Sequence, residues 1–179
     1  MKAPELITNN PNVQLVEPDI ERDAVFGVEW LEGEIGRSTL SLMGVANKDN
    51  QASSLDTERE RVKGFIENDN QLNWMIQLDD KIVGTIWVDL KPTKDVLAPA
   101  VHIMIGDPES RGQGVGAAST NAVVDYLKQQ GEEKIYSRVL VKNTVASKLL
   151  EDNGFRSLGD IYTDSNDLQW QNVVLSVQK

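Results

Sequence analysis

The stretch Ala100-Val-His-Ile-Met-Ile105-Gly106-Asp-Pro108-Glu-Ser110-Arg111-Gly112-Gln113-Gly114-Val115-Gly116-Ala117 decides the fold. Ala100 to Ile105 is an apolar run that predicts a buried strand, ended by Gly106-Asp107-Pro108. A glycine-dense turn follows. The stripe Val115, Ala118, Ala122, Val123, Tyr126 and Leu127 then predicts an amphipathic helix over Val115 to Gln130, with Gly131 as its C-cap. Glycines in the turn let the backbone bend tightly with its N–H groups aimed one way. The unpaired amides of a helix start, with the positive end of its dipole, make a site for a phosphate or diphosphate.

Known anion loops separate on their spacing. A Walker A loop requires Gly-x-x-x-x-Gly-Lys-Ser/Thr, and no lysine follows these glycines. Gly112-x-Gly114-x-x-Ala117 formally fits a dinucleotide fingerprint, but the next strand ends Leu140-Val141-Lys142-Asn143, without the acidic residue that would hold a ribose.

Outward from this segment, Leu72 to Leu78 and Ile82 to Val88 flank Asp79-Asp80 as a hairpin, and Lys91 to Pro99 is a loop. Val13 to Val16 is a short strand. Ile20 to Met43, broken by Gly27, Gly33 and Gly36, reads as two short helices with a mobile joint. Asn47 to Ser54 is a polar loop, and Ser54 or Asp56 caps a helix through Val62, Phe65 and Ile66. Ile135 to Val141 alternates as a strand, Asn143 to Asn153 is a short helix ended by Gly154-Phe155, and Val173 to Val177 is a last strand. Residues 1–12 are polar and read as a loose arm on a single domain spanning 1–179. Such an order of elements implies a mixed sheet flanked by helices.

Two motifs together resemble the GCN5-related N-acetyltransferases. Arg111-x-x-Gly114-x-Gly116 is similar to that family's Gln/Arg-x-x-Gly-x-Gly/Ala loop, and Ile103-x-Ile105 looks like the strand ahead of it. Asn143-x-x-Ala146-x-x-Leu149 followed by Gly154-Phe155 is similar to the second family signature, at a separation of one helix and one strand. The resemblance implies a mixed, mostly antiparallel central sheet with helices on both faces, and acetyl-CoA as cosubstrate. It implies that backbone atoms of Ile103, Met104 and Ile105 pair with the pantetheine arm. Amides of Arg111, Gly112, Gln113, Gly114, Val115 and Gly116 would hold the diphosphate. Asn143 would bond the pantetheine, with Ser147 or Lys148 reaching its thiol end or the phosphates. Asn143 and Ser147 equally suit a helix cap, and Arg111 a solvated loop. Many members place a tyrosine as general acid where Leu150 stands here, and leucine cannot donate a proton.

The resemblance implies transfer of an acetyl group to a primary amine, on a small cationic molecule or a peptide N-terminus. A lysine-like amine is mostly protonated at pH 7, and freeing it costs roughly 4–5 kcal/mol, so a base matters. His102, the sole histidine, lies on the cofactor strand near where relatives often carry a glutamate base; a packed imidazole is the bland alternative. Trp30, Glu34, Trp87 and Asp89 are the candidates for holding an amine, each of which also reads as ordinary core or exposed strand and helix. The rival class is a non-catalytic acyl-CoA-binding protein of the same fold, which Leu150 keeps open.

Composition sets the remaining bounds. With no cysteine there can be no disulfide, thiolate metal site or cysteine nucleophile, and no metal is expected. A formal net charge of −10 argues against a nucleic-acid partner and suits cationic ones. No stretch is apolar enough to span a bilayer, so no membrane partner is expected and the chain reads as cytoplasmic, with a possible homodimer as its assembly.

Overall fold

The strands are β1 (Leu6–Ile7), β2 (Val13–Val16), β3 (Gln71–Leu78), β4 (Lys81–Asp89), β5 (Ala100–Ile105), β6 (Lys134–Leu140), β7 (Arg156–Thr163) and β8 (Gln169–Ser176). The helices are α1 (Ile20–Leu31), α2 (Gly33–Leu42), α3 (Leu55–Glu67), α4 (Val115–Gln129) and α5 (Thr144–Asp152). The computed structural model describes residues 2–45 and 53–177. Its strands form one sheet in the order β1-β2-β3-β4-β5-β6-β8-β7. β5 and β6 run parallel, and every other neighbouring pair is antiparallel. The sheet is therefore mixed and mostly antiparallel, as the resemblance implies.

Alternation along each strand divides the core between the two faces. On one face, Val115, Ala118, Val123 and Leu127 of α4 and Leu150 of α5 pack against Trp74, Ile76, Val83, Ile86 and Val101. On the other, Trp30 of α1 packs with Val16, Met75, Ile82 and Met104. Helices thus cover both faces. Among the described residues no helix is long and apolar enough to cross a membrane.

Local signals explain most boundaries. Asp19 caps α1 by accepting from the Arg22 amide, and Ser54 caps α3 by accepting from the Thr57 amide. The expected joint between two helices falls at Glu32-Gly33, where Gly33 has φ +65°. Of the expected polar loop at Asn47 to Ser54, residues 47–52 lie outside the described residues.

Three features differ from the sequence reading. First, the arm over residues 1–12 is held: Leu6–Ile7 pair with β2, and the Trp74 indole N–H donates to Pro4 O at 2.6 Å. A buried indole needs an acceptor, and the arm supplies it. Second, β7 has no counterpart in that reading. Seven of its eight residues are exposed, so it carries no alternating apolar signal. Third, β8 begins at Gln169 and not at Val173, because its first half pairs with β6 at Leu140↔Trp170 and with β7 at Thr163↔Gln169.

A β-bulge sets the register of the central hairpin. Ile76 pairs with Gly84 but Gln77 pairs with Ile82, which leaves Val83 as the extra residue. Its carbonyl accepts from the amides of Gly106 and Asp107 at 2.9 and 3.0 Å, fixing the end of β5. Gly106 lies flat against the Trp30 indole, and a Cβ there would overlap ring atoms. Gly106→Ala should displace Trp30 and lower stability by about 1–3 kcal/mol. Urea unfolding is expected to show a lower midpoint with an unchanged slope.

Candidate active site

The site is a cleft between two strands that meet and then part. β5 and β6 pair at a single position, Ala100↔Tyr136. Around it the Tyr136 amide donates to Pro99 O at 2.8 Å and the Ser137 hydroxyl to Val101 O at 2.7 Å. Beyond that point the strands diverge around a cavity of about 240 Å³, lined among others by Trp87, Asp89, His102, Ile103, Thr120, Asn143 and Leu150.

Divergence exposes backbone. In the β4–β5 ladder alternate residues turn their N–H and C=O toward β4, and the rest turn them away. Gly106 N bonds Val83 O on the β4 side, whereas Val101 O accepts from Ser137 of β6. By this alternation Ala100, His102 and Met104 face β4 with their backbone groups, and Val101, Ile103 and Ile105 face the cleft. The Ile105 carbonyl is taken by Arg111 Nε at 3.1 Å. Ile103 is left with a backbone donor and acceptor turned into the cleft.

At the open end the chain turns through Gly112 and Gly114, with φ +75° and +77°, into α4. Left-handed backbone of this kind costs an L side chain about 1–2 kcal/mol, which explains the glycines. Gly114 is the N-cap of α4 and provides no side-chain cap. From Gly112 to Ala117 the amides have no backbone acceptor among the described residues, and helical bonding starts with Ala118 N to Gly114 O at 3.0 Å. Free amides at a helix start suit an anionic ligand such as a phosphate. A Cβ on Gly116 would stand 3.3 Å from Leu149 Cδ2, so this turn of α4 lies tight against α5.

Toward the closed end, His102 Nε2 lies 3.1 Å from Asp89 Oδ2, and Asp89 Oδ1 accepts from Gln71 Nε2 at 2.6 Å. Burial pushes the Asp89 carboxyl up, but bonds from His102 and Gln71, with the charges of His102 and Arg138, more than reverse this and hold it below its ordinary value. An ionised carboxylate only accepts, so in the neutral tautomer that suits this contact Nε2 donates to Asp89 and Nδ1 is the ring's acceptor. The His102 ring stacks on its cross-strand partner Trp87 at 5.2 Å between centroids. Trp87 in turn stacks on Phe65.

Only some of the expected residues line the cleft. Ile103, Trp87, Asp89, His102 and Asn143 line the cleft. Asn143 also caps α5, accepting from the Ala146 amide and donating to Leu42 O at 3.1 Å. The Arg111 guanidinium fastens the loop to Ile105 O and to the Thr39 hydroxyl of α2, and its amide donates to Pro108 O. Ser147 does not line the cleft, and Lys148 is exposed and pairs with Asp152. Trp30 is buried with Met75 and Met104, and Glu34 is exposed on the first turn of α2; neither lines the cleft. The α2 end contributes Leu42 and Met43 instead. Gln71, Thr120 and Arg138 were missed. Gln71 faces Asp89 only because of the bulge, and Thr120 sits in an apolar helical stripe where nothing marks it.

The matching family model is the acetyltransferase (GNAT) family, over residues 40–155. The chain belongs to that family. A mycothiol acetyltransferase of Renibacterium salmoninarum is 37% identical over 83 residues, 42% of this chain and 23% of that protein. One from Beutenbergia cavernae is 24% identical over 140 residues, 77% of this chain and 46% of that protein. The chain thus spans less than half the length of these relatives. Among solved structures, a ribosomal L7/L12 alpha-N-protein acetyltransferase in complex with coenzyme A superposes with a TM-score of 0.78 at 15% identity, covering 96% of this chain and 98% of that one. A spermidine N-acetyltransferase from Vibrio cholerae in complex with CoA and spermine gives 0.71 at 18%, covering 93% and 96%. At these identities the likeness concerns the fold.

Because the Asp89 carboxyl sits below its ordinary value of 3.8, its charge stabilises the folded state above that pH, and the contribution fades as pH falls through the lowered value. Asp89→Asn should therefore have a lower urea midpoint than the unaltered protein at pH 7, and the gap should narrow at pH 3.

Proposed function

We propose that this protein transfers the acetyl group of acetyl-CoA to a primary amine, borne by a small cationic molecule or a peptide N-terminus. The observation that carries the reading is the cleft itself: free amides at its open end, an unpaired Ile103 backbone along it, and an imidazole held by a carboxylate toward its closed end. Coenzyme A enters with its diphosphate on the amides of Gly112 to Gly116 and its pantetheine along β5. The Ile103 amide donates to the thioester oxygen as it gains charge. A neutral amine attacks the carbonyl carbon, and His102 Nδ1 takes its proton while Asp89 stabilises the imidazolium. Trp87 and the Asp89 carboxylate offer a cation an aromatic face and a counter-charge.

Two further observations favour an amine acceptor. The net charge of −10 draws cations, and relatives and neighbours carry the names of acetyltransferases, one of them bound to spermine. A protein that only binds acyl-CoA would share the loop but would not need an oriented imidazole.

Calorimetry should detect CoA binding by the folded protein, and thiol release should follow when acetyl-CoA is mixed with some member of a panel of amines. His102→Gln is expected to keep CoA affinity and lose about 100- to 10,000-fold in turnover. Tight CoA binding with no turnover on any acceptor would assign the chain to the non-catalytic class.

A further inference from the structure

Ser119 and Thr120 break a rule that the rest of the buried face of α4 obeys. The buried face of this helix is Val115, Ala118, Ser119, Thr120, Val123, Val124 and Leu127, so two hydroxyls sit in an otherwise apolar row. Both residues are fully buried, and neither Ser119 Oγ nor Thr120 Oγ1 has a hydrogen-bond partner. A helical threonine can return its proton to the carbonyl three or four residues back, here that of Ala117 or Gly116, and Thr120 does not. A buried hydroxyl left unpaired is less stable than the apolar side chain of the same shape.

Position separates the two. Thr120 lines the cleft together with Val101, Ile103, Ser137, Leu149 and Leu150, and Ser119 does not. The lining holds two hydroxyls, those of Thr120 and Ser137. Ser137 already donates to Val101 O. Leu150, on the facing helix, has no proton to give. Among the residues that line the cleft, the uncommitted hydroxyl is therefore that of Thr120, in the buried wall one helical turn beyond Gly116.

We propose that Thr120 is a catalytic residue whose hydroxyl donates a hydrogen bond to the thioester sulfur of acetyl-CoA as that sulfur takes up charge. It rests on reading the cleft as an acyl-CoA site. In the transfer the amine nitrogen forms a bond to the carbonyl carbon, the carbon–sulfur bond breaks, and its electron pair goes to sulfur. The amine proton passes to His102 and reaches the sulfur through solvent, while the Thr120 proton stays on its own oxygen. A thiol with a pKa near ~8.5 leaves as a thiolate at little cost when one donor faces it, so no group as acidic as tyrosine is required.

Thr120→Val, Thr120→Ser and Ser119→Ala are made and compared with the unaltered protein for CoA affinity, turnover and urea midpoint. Thr120→Val keeps the branched shape and removes the hydroxyl. It is expected to raise the unfolding midpoint, leave CoA affinity within about twofold, and lower kcat about 10- to 100-fold. Thr120→Ser retains most turnover, and Ser119→Ala gains stability without losing turnover. The proposal is overturned if Thr120→Val turns over within about twofold of the parent, or if Thr120→Ser is as slow as Thr120→Val, which would assign the loss to shape. Failure of the unaltered protein to bind CoA overturns the underlying reading of the cleft instead, so the two failures are distinct.

Discussion

The structure depends on the parting of β5 and β6. A parallel pair normally continues for as long as its strands last, because each further residue pairs backbone groups that would otherwise lie unpaired. Here pairing stops after Ala100↔Tyr136, with Ser137 Oγ on Val101 O closing the vertex. The exposed groups are then divided. Ile105 O is answered by the Arg111 side chain, while Ile103 is left for a ligand that can donate and accept like a strand. The gap is thus the place of a missing strand, which a ligand bearing amides could fill.

This division also reconciles an acidic protein with an anionic cosubstrate. A surface of charge −10 repels phosphates at long range, and lysines near the loop would be the obvious remedy. In the proposed site main-chain donors at the start of α4 take that part, with partial charges that act at contact distance, where screening and net charge matter least. Arg111 is consumed in holding the loop against β5 and α2.

How much of this was legible follows from what each signal depends on. The loop and the Asn143 helix are local, set by glycines and caps within a few residues, and they read directly from the sequence. The mixed, mostly antiparallel character of the sheet followed from family resemblance and not from periodicity. The Gln71–Asp89–His102 chain was not legible because it hangs on the bulge at Val83. A plain two-residue hairpin around Asp79-Asp80 would pair Gln71 with Val88 and turn Asp89 toward Asn70. One extra residue shifts the register and brings the amide and carboxylate together. Trp30 was misread for the complementary reason: a tryptophan on a candidate substrate helix looks like a pocket wall until the helix face is known, and here that face packs on Met104. Thr120 lies in the stripe that identifies α4 as buried, and only its missing partner distinguishes it.

The His102 imidazole is held from a distance as well as by its neighbours. His102 lies flat on Trp87, Trp87 on Phe65, and the Phe65 ring carries the Arg61 guanidinium at 5.0 Å. Arg61 is anchored by the buried Glu58 at 2.6 Å, between α3 and α1. This stack fixes the plane of the imidazole, while Asp89 fixes its rotation within that plane. Two constraints at right angles leave Nδ1 a single direction, which is what a base must have if it is to meet an amine at a carbon held by the other wall of the cleft. The α1–α3 pair therefore does more than cover the sheet: packing on one face orients the imidazole that borders the gap opened between β5 and β6.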